Sequence, residues 1–312
     1  MNEQFADLGD VTLCYETFGN RADPAVLLIM GLGTQMVAWH EDFCRALAER
    51  GFFVIRYDNR DVGRSTRFDG VPPPTVSEIL RRRPRQLAYT LGDMADDAAG
   101  LLEHLGIEAA HVVGASMGGM IAQLVAVRHP RRVRSLVSIM SSTGGRLSGQ
   151  PALRVYPFFM RRPPAGKEAF VDRMVRLFRV IGSPGFDFEE ERIRELAELS
   201  FDRGADAAGT ARQLAAVLAD RNRAKRLRQI TAPTLVIHGT KDRMVARSGG
   251  KATARAIPGA RLTLFEGMGH DLPRALWPQF VDAIVENAAR AESSSAPGVP
   301  EAEPEPARLQ QH

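Results

Sequence analysis

Strand-like and helix-like segments alternate along most of this 312-residue chain, which predicts an α/β fold: a parallel sheet with helices on both faces. Three observations carry the expectation. Almost continuously apolar runs such as Phe52-Phe53-Val54-Ile55-Arg56-Tyr57 suit strands covered on both faces. Helical patterns stop at Gly51, Gly106 and Pro130, residues that end helices for backbone reasons. The composition, 44% hydrophobic and 25% charged with no apolar run near eighteen residues, suits an ordinary globular protein without a membrane-spanning helix.

In chain order, Val11 to Phe18 and Ala25 to Met30 read as strands joined at Gly19-Asn20-Arg21-Ala22-Asp23-Pro24, a hairpin expected to form an antiparallel edge. A helix follows from about Trp39 to Arg50, then the strand from Phe52 to Tyr57. A second helix spans about Leu91 to Leu105, before the strand His111 to Val113, a helix from about Met117 to His129, and the strand Val133 to Met140. Near the end come strand Thr234 to His238, helix Ser248 to Ile257, strand Arg261 to Phe265 and helix Arg274 to Arg290.

Between residues 144 and 229 the alternation stops. Helical patterns over Lys167 to Val180, Glu189 to Leu199 and Thr210 to Arg228 mark an insertion, with residues 1–143 and 230–290 forming the core domain. The stretch 291–312, rich in Pro, Ser, Glu and Ala, cannot offset its own ordering entropy and is expected to be a disordered tail. The net charge of +4 is small, with 41 basic residues facing 37 acidic ones, so no nucleic-acid partner is expected. Arg81-Arg82-Arg83-Pro84-Arg85 lacks interleaved aromatics and reads as a solvated face. Cys14 and Cys44 cannot make a disulfide framework and have no partners at metal-ligand spacing; neither a metal nor a cofactor is expected. Met1 to Asp7 lacks the basic patch and apolar stretch of a secretory signal, so the expected location is cytoplasmic, with no membrane partner.

The chemistry concentrates at strand ends. Gly114-Ala115-Ser116-Met117-Gly118 fits G-x-S-x-G between a strand and a helix, where the turn lifts a serine hydroxyl over the sheet and its neighbours must be tiny. A serine nucleophile needs a base and a group that orients the base. Of seven histidines, His270 alone follows a late strand directly, in Glu266-Gly267-Met268-Gly269-His270-Asp271, at the sheet edge where parallel α/β folds place their sites. His40, His104, His111, His129, His238 and His312 lie within helices, strands or the tail. Asp242 holds the matching position one strand earlier, though an aspartate there also suits a turn or cap. The oxyanion of an acyl-transfer intermediate needs two N–H donors. Met117, after the nucleophile, and Leu32, in Met30-Gly31-Leu32-Gly33-Thr34, are the candidates.

These motifs, with Tyr57-Asp58-Asn59-Arg60-Asp61-Val62-Gly63-Arg64-Ser65, resemble the α/β-hydrolase superfamily over roughly residues 8 to 290. Met30-Gly31 and Tyr89-Thr90-Leu91-Gly92-Asp93-Met94-Ala95-Asp96-Asp97 are similar to the aclacinomycin-methylesterase-like carboxylesterases. The resemblance implies a mostly parallel eight-stranded sheet, and a helical cap over the pocket at 144–229. It also implies a cofactor-free serine carboxylic-ester hydrolase with an acyl-enzyme on Ser116, acting on a small or medium apolar ester or a methyl ester of a bulky acid. A serine in place of the aspartate nucleophile sets the chain apart from haloalkane dehalogenases and epoxide hydrolases. A C–C bond hydrolase or perhydrolase on the same triad, and a non-catalytic ligand-binding member, are the alternatives. The cap's apolar residues, with Phe158 and Phe159 expected to bind substrate and Phe170, Met174, Leu177 and Phe178 on one helix face, predict an apolar roof whose arginines turn mainly outward.

Overall fold

The structure, a computed structural model, describes residues 2–81, 83–160 and 166–295. Among them an eight-stranded sheet runs in the order β1-β2-β4-β3-β5-β6-β7-β8. The strands are β1 (Gln4–Asp7), β2 (Thr12–Phe18), β3 (Ala25–Ile29), β4 (Phe53–Tyr57), β5 (Ala110–Ala115), β6 (Val133–Ile139), β7 (Thr234–Gly239) and β8 (Arg261–Phe265). β1 and β2 pair antiparallel, as do β2 and β4, and every later pairing is parallel.

The expected hairpin of β2 and β3 does not form, because β4 lies between them. The edge hairpin is β1 with β2, turning at Ser-free Leu8-Gly9-Asp10, where Gly9 takes φ 89°. β3 instead pairs parallel with both β4 and β5, which buries all five of its residues. Those residues alternate between faces: Leu27 and Ile29 join one core cluster, Val26 and Leu28 the other. Each such side chain, fully buried, contributes roughly 1.5–3 kcal/mol.

Helices α1 (Glu41–Ala48), α2 (Val76–Arg81), α3 (Leu91–His104) and α4 (Met117–Arg128) precede the insertion. α1 begins later than its apolar pattern suggests, because His40 caps it by accepting the Asp42 N–H; a 3-10 turn, Met36–Ala38, comes before. α2 was not apparent from the sequence, and Arg81, Arg83 and Arg85 near it are exposed. α3 and α4 pack on one sheet face. α4 is buried from Met117 through Ala126, so the helix that follows Ser116 is fixed on all sides. The opposite face is covered by α1 and by α11 (Trp277–Ser295). α11 extends five residues into the stretch expected as a tail, with Ala288 and Ala291 continuing its buried side; residues 296–312 lie outside the described residues.

Between β6 and β7 come α5 (Tyr156–Met160), α6 (Lys167–Ile181), α7 (Glu190–Asp202), α8 (Ala207–Ala219) and α9 (Ala224–Leu227); α10 (Ser248–Ala256) follows β7. The single helix expected over Thr210 to Arg228 breaks after α8, because Asp220 leaves helical geometry at ψ 92° and pairs with Arg223 and Arg226. Cys14 and Cys44 are buried free thiols, and burial pushes both up to about 12.

Candidate active site

β5 delivers its chain into a sharp turn at Ser116, held at φ 57°, ψ −120°, outside the main allowed regions for a residue with a side chain. Its N–H donates to the Ile139 carbonyl at 2.9 Å, anchoring the turn to the end of β6. The flanking glycines are a steric necessity. A Cβ at Gly114 would come within 2.1 Å of the Gly118 carbonyl oxygen, and one at Gly118 within 2.1 Å of the Ile29 carbonyl oxygen. Helix and strands therefore approach closely enough to leave the serine at the crest.

The loops after β7 and β8 bring Asp242 and His270 to it. His270 Nε2 lies 2.9 Å from Ser116 Oγ, and His270 Nδ1 lies 2.8 Å from Asp242 Oδ2. A carboxylate only accepts, so Nδ1 carries the proton and Nε2 is left to accept the serine hydroxyl's. Asp242 Oδ1 takes the N–H groups of Met244 at 2.9 Å and Val245 at 2.8 Å, which fixes the carboxylate plane. Burial alone would push Asp242 up. The charge of His270 and the bonds from His238 and His270 outweigh burial and hold it below the usual carboxylate range.

The His270 loop is clasped by the end of α6. The His270 N–H donates to the Ile181 carbonyl at 2.7 Å, the Gly185 N–H to Gly267 at 3.0 Å, and the Gly269 N–H to Ser183 Oγ at 2.8 Å. The Ser183 hydroxyl in turn donates to Asp271 Oδ1. Contact is so close that a Cβ at Gly269 would fall 2.2 Å from the Gly182 carbonyl oxygen. Sequence reasoning missed Ser183 and Asp271 as a pair; they are 88 residues apart and no spacing rule links them.

The loop Met30 to Thr34 lies against Ser116: a Cβ at Gly31 would be 3.0 Å from Ser116 Cβ. Among the described residues, the N–H groups of Leu32 and Met117 meet no acceptor. Met117 heads α4, where such N–H groups have no partner within the helix. The loop owes its shape to Gln213, which the sequence did not single out, and to Asn59 of the turn motif after β4. Gln213 of α8 accepts the Gly33 N–H at 2.8 Å and donates to the Arg60 carbonyl at 2.8 Å, and Asn59 donates to the Met30 carbonyl at 3.0 Å.

Above Ser116 opens a cleft of about 1910 Å³, walled by Met117, Met120, Met140, Phe158, Phe170, Met174, Leu177, Phe178 and Leu214 among others. The α6 face expected to be apolar lines it, while Val171 and Val175 are buried alongside. Phe158 borders the cleft; the side chain of Phe159 lies outside the described residues. The expectation that the insertion's arginines turn outward fails at three of them. Arg203 reaches Asp58 at 2.8 Å, Arg212 reaches Asp61 at 2.7 Å, and Arg223 reaches the Ser142 carbonyl at 2.7 Å and Asp220, all three side chains being 3% exposed or less. A buried guanidinium needs a carboxylate or carbonyl, and the core supplies both.

A family model described as the alpha/beta hydrolase fold matches residues 24–273. The chain is 32% identical to rhodomycin D methylesterase DauP of Streptomyces sp. (strain C5) over 303 residues, 88% of this chain and 94% of that one. It is 31% identical to rhodomycin D methylesterase DnrP of Streptomyces peucetius, with the same coverage. Among solved structures, a hydrolase from Pseudomonas aeruginosa PA01 superposes with a TM-score of 0.69 at 26% identity, over 92% of this chain and 98% of that one.

Proposed function

The chain belongs to the α/β-hydrolase family, and from that premise we propose that it is a carboxylesterase-type hydrolase cleaving carboxylic esters through an acyl-enzyme on Ser116. The hydrogen-bonded run Ser116–His270–Asp242, at 2.9 and 2.8 Å, is the observation that carries the reading. Ser116 Oγ attacks the ester carbonyl carbon while His270 Nε2 takes the hydroxyl proton, and Asp242 stabilises the imidazolium that forms. The carbonyl oxygen, now an oxyanion, receives the N–H groups of Leu32 and Met117. Collapse of the intermediate expels the alcohol, which leaves with the proton from His270. Water, deprotonated by His270, then attacks the acyl-enzyme; the carboxylic acid departs and Ser116 regains its proton.

The insertion acts as a cap. Its cleft exceeds the roughly 300–1,000 Å³ of ordinary ligand pockets and is mostly apolar, which suits a bulky apolar acid with a small alcohol. Similarity to two methylesterases points the same way. A fluorophosphonate probe should label wild-type protein and not Ser116→Ala. Methyl esters of bulky aromatic acids should show higher kcat/KM than p-nitrophenyl acetate. Labelling of Ser116→Ala at the wild-type rate would remove the nucleophile assignment, and a preference for acetate would remove the bulky-acid one.

A further inference from the structure

We propose that His238, an imidazole the ester-hydrolysis scheme leaves idle, is a positioning residue for Asp242 that sets the pH at which His270 becomes a base. The inference rests on Ser116, His270 and Asp242 acting as described above. His238 lies in β7 and is fully buried. Its Nε2 is 2.8 Å from the Val245 carbonyl and 3.4 Å from Asp242 Oδ2, the same oxygen that His270 approaches at 2.8 Å. A carbonyl only accepts, so Nε2 carries the proton and a neutral ring leaves Nδ1 bare. Among the described residues Nδ1 has no partner. It is pressed against Gly250, where a Cβ would come within 2.5 Å of it. A proton on Nδ1 would therefore be buried without an acceptor, so the ring presents its N–H through Nε2.

That N–H bonds the Val245 carbonyl and faces Asp242 Oδ2 at a longer distance. The hydrogen bond ties Val245 back to β7, closing the loop in which the Val245 and Met244 N–H groups hold Asp242 Oδ1. At 3.4 Å the dipole of the same N–H also favours charge on the oxygen that steadies His270. Without it, Asp242 Oδ2 binds the His270 imidazolium more strongly, so His270 keeps its proton to higher pH. The other charged groups around the site are Arg243 on the Asp242 loop, Asp271 beside His270, Arg192 from α7 and the exposed Lys241–Glu266 pair.

The test is the pH profile of kcat/KM for p-nitrophenyl acetate in wild type, His238→Phe and His238→Gln. The Phe variant should raise the midpoint of the rising limb by about half a pH unit and lower kcat about threefold to tenfold with KM unchanged. Gln, which retains an N–H donor, should move the midpoint back toward wild type. An unmoved limb in a folded His238→Phe overturns the proposal. Should that variant fail to fold, ¹⁵N NMR of histidine-labelled wild-type protein decides: His238 must carry its proton on Nε2 with Nδ1 bare where the enzyme is active, and the other tautomer overturns it. Asp242→Asn, run alongside, separates the two levels. Full activity there overturns the role of Asp242 itself; an inactive Asp242→Asn with an unmoved His238→Phe limb overturns only the role of His238.

Discussion

Ser116 holds a conformation a side chain resists, and the resistance is measurable. A strained residue of this kind costs on the order of 1–3 kcal/mol, which glycine avoids while losing roughly 0.5–1 kcal/mol in the unfolded chain. Ser116→Gly should therefore unfold at a denaturant concentration equivalent to about 1 kcal/mol more stability, and be inactive; a destabilised variant would mean that the turn is relaxed as built. Ser116→Ala and His270→Ala should each lower kcat by several orders of magnitude, and the double variant by little more, because nucleophile and base work as a unit; kcat values that multiply would separate them. Leu32→Pro, checked for folding by circular dichroism, should lose roughly 100-fold in kcat, since proline removes the N–H itself. Ser116, Asp242 and His270 were legible in the sequence because each follows a strand in a short glycine-bearing motif. Gln213 was not: it lies 180 residues from Gly33, and nothing local distinguishes it from a surface glutamine.

At the scale of elements, the end of α6 and the loop after β8 behave as one piece, joined by backbone bonds and by Ser183. Ser183→Ala frees the Gly269 N–H and one bond to Asp271. It should lower kcat for p-nitrophenyl acetate about tenfold with a smaller change in KM, since Ser183 lies at the cleft wall while its bonds support the His270 loop. Steady-state kinetics showing a KM effect alone would place Ser183 in binding. Phe158→Ala, in contrast, should raise KM for bulky esters more than for acetate esters, which do not reach that wall. The parallel strands and main helices were readable from apolar runs and glycine stops. The order at the sheet's edge was not, because a turn between β2 and β3 reports adjacency along the chain and not in space. β1 escaped notice for its brevity: of its four residues only Ala6 is buried.

Over the whole molecule, the insertion is fastened to the core by charge. Arg212 reaches both oxygens of Asp61, at 2.7 and 2.8 Å, where Tyr89 donates at 2.6 Å as well. Removing one partner of such a buried pair leaves a charge stranded, so Arg212→Ala should lose about 3–5 kcal/mol in urea denaturation. Burial pushes the Asp61 carboxyl up, but Arg212, the Phe68 N–H and Tyr89 together bring it below its ordinary value. A depressed folded value contributes stability that is complete above the unfolded carboxylate range and is lost as pH falls through the folded one. Stability should be level from about pH 5 upward and fall in acid, less steeply in Asp61→Asn; identical acid limbs would remove Asp61 from the account. Arg203 on Asp58 and Gln213 on Gly33 add two more fastenings to the core. The insertion is thus not an interchangeable module. Exchanging residues 144–229 for a segment without Arg203, Arg212 and Gln213 would orphan Asp58 and Asp61 inside the core and release the Leu32 loop. A redesign of substrate range has to proceed in place, through the side chains of α6 that face the cleft, with the three arginines kept.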